Sequence, residues 1–240
     1  MRRTAYEDLV DWKGDEFHKP LLVFGARRVG KTWLLRDFAK AEYEKVIYFS
    51  FEQTPDLKSL FDSEPEAGRV LREISSLSKI DVTPGNTLII LDDIQFCPDA
   101  LGVLPDFAES QSGFDIIVCG FTAASPKAES KIEELSRTGV LSKLQIYPMS
   151  FKEFLMASGK DNMASYLVGR NWSAVGSFLP KYESALKDYL FCGGLPQVVQ
   201  EFLAGKQPRE IRSVQKDILA AIEADFLRFA PRRHSAEILS

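Results

Sequence analysis

Gly25, Gly30, Lys31 and Thr32 fall in the order G-x-x-x-x-G-K-[ST], a spacing that suits one task, the holding of a polyphosphate. Glycine at both ends lets the chain turn with few steric limits, so the N–H groups of Ala26, Arg27, Arg28, Val29 and Gly30 can face an anion. Lys31 brings a positive charge to the terminal phosphates, and Thr32 offers a hydroxyl to Mg²⁺. A helix starting here aims its unpaired amides and the positive end of its dipole at the same point, with Trp33 in its first turn. The expected phosphate-binding set is Gly25, Ala26, Arg27, Arg28, Val29, Gly30, Lys31, Thr32 and Trp33.

A second constellation follows the Pro84-Gly85-Asn86 break. Leu88, Ile89, Ile90 and Leu91 run straight into Asp92 and Asp93, the pattern of a buried parallel strand that delivers carboxylates at its C-terminal end. Ligands of open α/β sheets bind at that end, which sets Asp92 beside Thr32 as a Mg²⁺ ligand. Asp93 is then the candidate to polarise an attacking water, with Lys31 as its catalytic partner on the phosphate.

The elements needed to position these residues are legible. Residues 5–12 make a short amphipathic lead-in helix, and the apolar run 21–24 precedes the glycine loop as a buried strand. Leu34, Leu35, Phe38 and Ala39 continue at helical spacing, and Val46, Ile47, Tyr48, Phe49 and Phe51 read as a second strand. Residues 55–80 read as helical, 114–120 and 144–147 as further strands. The segment 122–143 reads as a mobile loop in which Thr122 can meet a γ-phosphate. Strands alternating with helices imply an α/β fold, a parallel sheet flanked by helices. After Phe151 the pattern is helical: 151–157, 163–168, 181–192, 197–204 and a last segment from 209. That last helix places Ile211, Val214, Ile218, Ile222, Phe226 and Phe229 on one stripe. The chain therefore divides into a core at 1–155, an all-α lid at 156–230 and the start of a further domain at 231–240.

Composition narrows the classes. A net charge of −4 gives no global basic field for nucleic acid, and Arg228, Arg232, Arg233 and His234 read as a solvated junction. No segment approaches the ~20 apolar residues of a membrane span, so the expected location is the cytoplasm, with no membrane partner. Cys97, Cys119 and Cys192 are odd in number and far apart, which implies reduced thiols rather than disulfides or a zinc site.

Several ordered motifs carry a family resemblance: Gly-Ala-Arg-Arg-Val-Gly-Lys-Thr, Leu-Asp-Asp-Ile-Gln, Tyr-Pro-Met-Ser-Phe-Lys-Glu-Phe-Leu and Gly-Gly-Leu-Pro. From Arg3 to Asp225 the chain resembles the prokaryotic AAA-class P-loop ATPases related to the STAND switch proteins. The resemblance implies a P-loop NTPase core, ATP and Mg²⁺ as cofactors, and a helical lid in which Gly194 and Pro196 contact the nucleotide. It also implies a protein partner, or C-terminal winged-helix and nuclease-like domains. Three positions depart from the family. Asp93 stands where glutamate is usual, Phe121 where a small hydroxyl residue follows Gly120, and Val140 where a basic residue is common, with Arg137 and Lys143 nearby.

Two functions fit. One is slow ATP hydrolysis driving a conformational switch; the other is a nucleotide-sensing module with little or no hydrolysis. A GTPase, a kinase or a DNA motor fits less well, since no Asn-Lys-x-Asp guanine motif follows the loop and no basic groove is evident.

Overall fold

The structure, a computed structural model, describes residues 1–62, 66–109, 113–120 and 126–229. Strands β1 (Leu21–Phe24), β2 (Lys45–Ser50), β3 (Thr87–Asp92), β4 (Asp115–Gly120) and β5 (Ser142–Gln145) form a five-stranded sheet in the order β2-β3-β4-β1-β5. Every neighbouring pair is parallel. Parallel sheets need cover on both faces, and here every residue of β3 and β4 is buried whereas edge strand β5 alternates.

On one face Ile89, Leu91, Ile116 and Val118 pack with Val70 and Ile74 of α3 (Ala67–Ser78), Leu104 of α4 (Leu104–Glu109) and Ala128, Ile132 and Leu135 of α5 (Pro126–Arg137). The alternate residues Leu88, Ile90, Ile117 and Cys119 are equally buried, and α2 (Lys31–Glu42) lies against β4. Burial of each large aliphatic side chain contributes about 1.5–3 kcal/mol, so β3 is a stiff mount for the acids at its end. The sheet is thus the expected α/β P-loop core.

Three local expectations are corrected. Residues 122–143 are no loop throughout: α5 occupies much of the segment, and its buried Ala128, Ile132 and Leu135 were hidden among charged neighbours. Phe121 and Thr122 lie outside the described residues. The last strand lies at β5 rather than at 144–147, because pairing with β1 sets its register and an edge strand tolerates Ser142 and Lys143. The segment 55–80 is divided, with a 3₁₀ turn at Pro55–Phe61 before α3.

The chain forms two compact units. Among the described residues, the sheet unit holds those within 7–25 and 31–146, and the helical unit those within 1–6, 26–30 and 147–229. The sheet unit includes most of α1 (Ala5–Gly14), whose Trp12 meets His18 edge to face. His18 Nε2 lies 2.7 Å from Asp115 Oδ1 at the start of β4, and Nδ1 lies 2.7 Å from the Asp15 carbonyl. The other Asp115 oxygen accepts from the Tyr43 hydroxyl at 2.6 Å. Both His18 neighbours are acceptors, and only the doubly protonated ring can donate to both.

The helical unit contains α6 (Phe151–Ala157), α7 (Asp161–Val168), α8 (Trp172–Ser177), α9 (Leu179–Cys192), α10 (Pro196–Leu203) and α11 (Pro208–Phe229). One core joins Met149, Phe154, Cys192, Val198, Val199, Ile211 and Ile218, with Val214 and Ile222 at its margin; the side chains of Phe226 and Phe229 lie outside the described set. A second joins Leu155, Met163, Ala164, Tyr182 and Ala185. Between α9 and α10 the two glycines are required for different reasons. Gly193, at φ 73° and ψ −173°, has a backbone that essentially only glycine adopts. Gly194 is needed for space: it lies so close to Pro148-Met149 that an added Cβ would lie 2.4 Å from the Met149 carbonyl oxygen. Met149 N donates to the Gly194 carbonyl at 2.6 Å, and the Tyr189 hydroxyl donates to the Met149 carbonyl. The Pro-Met-Ser-Phe and Gly-Gly-Leu-Pro phrases are therefore one packed structure.

Two outcomes are expected. The Asp115 carboxylate raises the His18 pKa, against the lowering effect of burial. The stability His18 adds is therefore complete below its ordinary pKa of ~6.5 and lost as pH rises through the raised value. Thermal denaturation of wild type and His18→Gln should differ by about 1–2 kcal/mol at pH 6 and by less at pH 9; a pH-independent difference contradicts the charged assignment. Gly194→Ala should destabilise by about 1–3 kcal/mol through overpacking. Gly176→Ala, in a helix with open space around it, should stabilise by roughly 0.5–1 kcal/mol, and denaturant midpoints compare the two.

Candidate functional site

In the sheet unit, β1 ends at Phe24 and the chain turns at Gly25, where φ is 152° and an added Cβ would lie 2.1 Å from the Ile146 carbonyl oxygen. Lys31 and Thr32 open α2, both half-buried, and Lys31 Nζ donates to the Gly25 carbonyl at 2.9 Å. Trp33 follows with half of its surface exposed. Sixty residues later in the chain, buried Asp92 ends β3, and its Oδ2 accepts from Thr32 Oγ1 at 2.8 Å. The loop threonine and the strand-end acid, paired on sequence grounds alone, meet directly.

Two residues that the sequence reading passed over complete this cluster. The Tyr48 hydroxyl donates to the same Asp92 oxygen at 2.7 Å, and the Ser50 hydroxyl donates to Asp93 Oδ2 at 2.7 Å. They sit two apart on β2, hence on one face, next to β3 in register. That spacing was the available signal. Burial pushes the Tyr48 phenol up, so it stays a donor. Asp93 itself has φ 62°, a left-handed conformation that Asp tolerates better than most residues. Its second oxygen accepts from Gln95 Nε2 at 3.3 Å. Burial and the adjacent Asp92 charge raise the Asp93 carboxyl above the ordinary range, against the opposing hydrogen bonds from Ser50 and Gln95. A carboxyl held this way has its basicity enhanced and its position fixed toward β2. The oxygen donors at Thr32 and Asp92 suit Mg²⁺, which takes one or two carboxylates and fills its other positions with water and phosphate oxygens. Among the described residues no group of three or more His, Cys, Asp or Glu forms a protein-only metal cage.

In the helical unit, the middle of the glycine loop, residues 26–30, is anchored by side chains far away in the sequence. Arg28 and Gly30 take φ 66° and 93°, and Val29 between them is fully buried. Arg3 Nη1 donates to the Val29 carbonyl at 2.7 Å, Nη2 to the Tyr147 carbonyl at 2.7 Å, and Nε to Glu153 Oε1 at 3.0 Å. Glu153 also accepts from the Thr4 backbone and hydroxyl, and forms a capping box with Ser150 at the start of α6. Burial pushes the Glu153 carboxyl up, but the Ser150 and Thr4 amides and Arg3 outweigh it and hold it below its ordinary range. The S-x-x-E spacing of Ser150 and Glu153 was the sequence signal for that cap. Pro196 reaches the same loop, since an added Cβ on Gly30 would lie 3.3 Å from its Cγ and 3.4 Å from Arg3 Nη1. Gly194 is one step removed, packed on Met149.

The three thiols are free and buried; burial pushes Cys97 and Cys192 up to about 11 and Cys119 well above the ordinary range. None is an activated nucleophile. No helix of the described residues is long and apolar enough to cross a membrane.

Comparison with known proteins agrees with this architecture. An uncharacterized protein of Methanocaldococcus jannaschii is 26% identical over 224 residues, which cover 91% of this chain and 43% of that protein. An uncharacterized protein of Haemophilus influenzae is 26% identical over 204 residues, covering 82% of this chain and 44% of that protein. The chain thus spans less than half the length of these curated relatives. The solved structure of a Walker-type ATPase of Pyrococcus abyssi superposes with a TM-score of 0.56 at 14% identity, over 97% of this chain and 77% of that one, a likeness of fold. The family model described as AAA domain matches residues 17–155, more than half of the 240 residues, and the chain therefore belongs to the AAA domain family.

Proposed function

We propose that this chain is a cytoplasmic protein that binds ATP with Mg²⁺, hydrolyses it slowly and uses the nucleotide as a conformational switch. The observation that carries the reading is the 2.8 Å hydrogen bond from Thr32 to Asp92, which joins the phosphate loop to the strand-end acid. The amides from Ala26 onward take the phosphates, Lys31 neutralises their charge, and Thr32 and Asp92 are the residues that would hold the metal. The ion, when bound, would supply charge neutralisation to the polyphosphate. Asp93, held by the Ser50 hydroxyl, orients the attacking water and accepts its proton as the water oxygen bonds to the γ-phosphorus and the β–γ bridging bond breaks to release ADP. Contact between Pro196 and Gly30 supports a role for the Gly-Gly-Leu-Pro segment in sensing the loop's occupancy. A protein, or further domains such as the resemblance implies, is the proposed recipient of the switch.

Calorimetry tests the binding step. ATP should bind more tightly than GTP, Lys31→Ala should weaken ATP binding at least tenfold with circular dichroism unchanged, and Asp92→Ala and Thr32→Ala should remove chiefly the Mg²⁺-dependent part. Unchanged affinity in a folded Lys31→Ala removes the loop from the reading.

Single-turnover assays test the chemistry. A misplaced water-orienting group by ~1 Å can lower a rate on the order of a hundredfold, and Asp93 is one methylene shorter than glutamate. Wild type should turn over slowly, Asp93→Glu faster, and Asp93→Asn not at all, with affinity within a few fold. Should every variant bind ATP and none hydrolyse it, the chain is a nucleotide sensor rather than an enzyme.

A further inference from the structure

We infer that Arg3 is a positioning residue of the phosphate loop, the group that sets the Gly30 amide to face the nucleotide; the inference rests on the ATP-binding reading above. A trans peptide is planar, with its C=O and N–H pointing in opposite directions, and the chain contains no cis peptide bond among the described residues. Arg3 Nη1 holds the Val29 carbonyl at 2.7 Å, so the N–H on the other side of that peptide, that of Gly30, is turned away from the guanidinium. With Arg3 on one side, the donor is turned to the opposite side, where the proposed phosphate would meet it.

Rotation of this peptide is opposed from both ends. The Val29 side chain is completely buried, which fixes the residue on the carbonyl side. Gly30, at φ 93°, sits where an added Cβ would lie 3.3 Å from Pro196 Cγ and 3.4 Å from Arg3 Nη1, so both side chains stand close to the other end of the peptide. Arg3 is in turn 5% exposed, and its two other donors are committed to the Tyr147 carbonyl and Glu153. Those commitments matter for orientation. A guanidinium with one partner could follow the carbonyl wherever it turned, but a planar fork held at Nε and Nη2 leaves Nη1 a single direction. A lysine ammonium is a point charge on a flexible stem and keeps the charge without the fork.

The test reads the Gly30 amide directly. Full-length protein carrying ¹³C-carbonyl valine and ¹⁵N-glycine shows the Val-Gly pairs 29–30, 168–169 and 175–176, so Gly169 and Gly176 report on folding in the same spectrum. In wild type, ATP with Mg²⁺ should move the Gly30 amide proton downfield as it donates to phosphate. In Arg3→Lys that displacement should fall below half, and ATP affinity at least fivefold, with Gly169 and Gly176 unmoved. If Arg3→Lys does not fold, Arg3→Met combined with Glu153→Leu removes both buried charges, and the same two changes are expected of it. A folded variant with the wild-type displacement and affinity within twofold overturns the inference. No ATP binding by wild type sinks the binding reading instead, so the two failures are distinguishable.

Discussion

Two neighbouring carboxylates at the end of a buried strand are the constraint around which the sheet unit is arranged. Two unit charges ~5 Å apart at an effective dielectric of ~20 repel by about 3 kcal/mol. The chain answers this by turning left-handed at Asp93, which sends its carboxylate to Ser50 and Gln95 while Asp92 faces Thr32 and Tyr48. Hydroxyl and amide donors stabilise both groups without neutralising them. That leaves an electronegative strand end, suited to a divalent cation, on a mount whose rigidity comes from the six buried residues of β3. Space also sets the arrangement here: Gly120 at the end of β4 comes so near Gln95 that a Cβ would lie 2.5 Å from its Oε1.

In the helical unit the organising interaction is the buried ion pair of Arg3 and Glu153, with side chains 5% and 4% exposed. Removing one partner of such a pair commonly costs about 3–5 kcal/mol, because the other charge is left unsatisfied. The guanidinium and carboxylate here also satisfy two backbone carbonyls and two backbone amides. One cluster thus ties the N-terminal residues, the loop at Val29 and the start of α6 together. The close contact of Gly194 with Met149 adds α9 and α10 to the same body.

What was legible in the sequence follows from how local each signal is. Strands β1 to β4 announce themselves as apolar runs, and the glycine-lysine-threonine spacing specifies its own turn, so the core and the Thr32–Asp92 pairing could be read directly. Helix α5 could not, because three buried residues in twelve are a thin stripe on a charged helix. Tyr48 and Ser50 looked like ordinary strand residues; their function depends on β2 lying next to β3, a fact of strand order. Arg3 was the hardest to read. A basic residue near the start of a chain is usually solvated, and only the fold brings its partners at 29, 147 and 153 together.

The two cations of the loop region illustrate why residue type alone does not assign a role. Lys31 is half-buried and donates to the neutral Gly25 carbonyl. A phosphate oxygen carries a full negative charge where a carbonyl offers only a dipole, so a bound phosphate would compete with the Gly25 carbonyl for this ammonium. Arg3 is already neutralised by Glu153, and releasing it would leave that carboxylate without its counter-charge and two carbonyls without this donor. If phosphate binds as proposed, the ammonium would exchange partners while the guanidinium keeps its own.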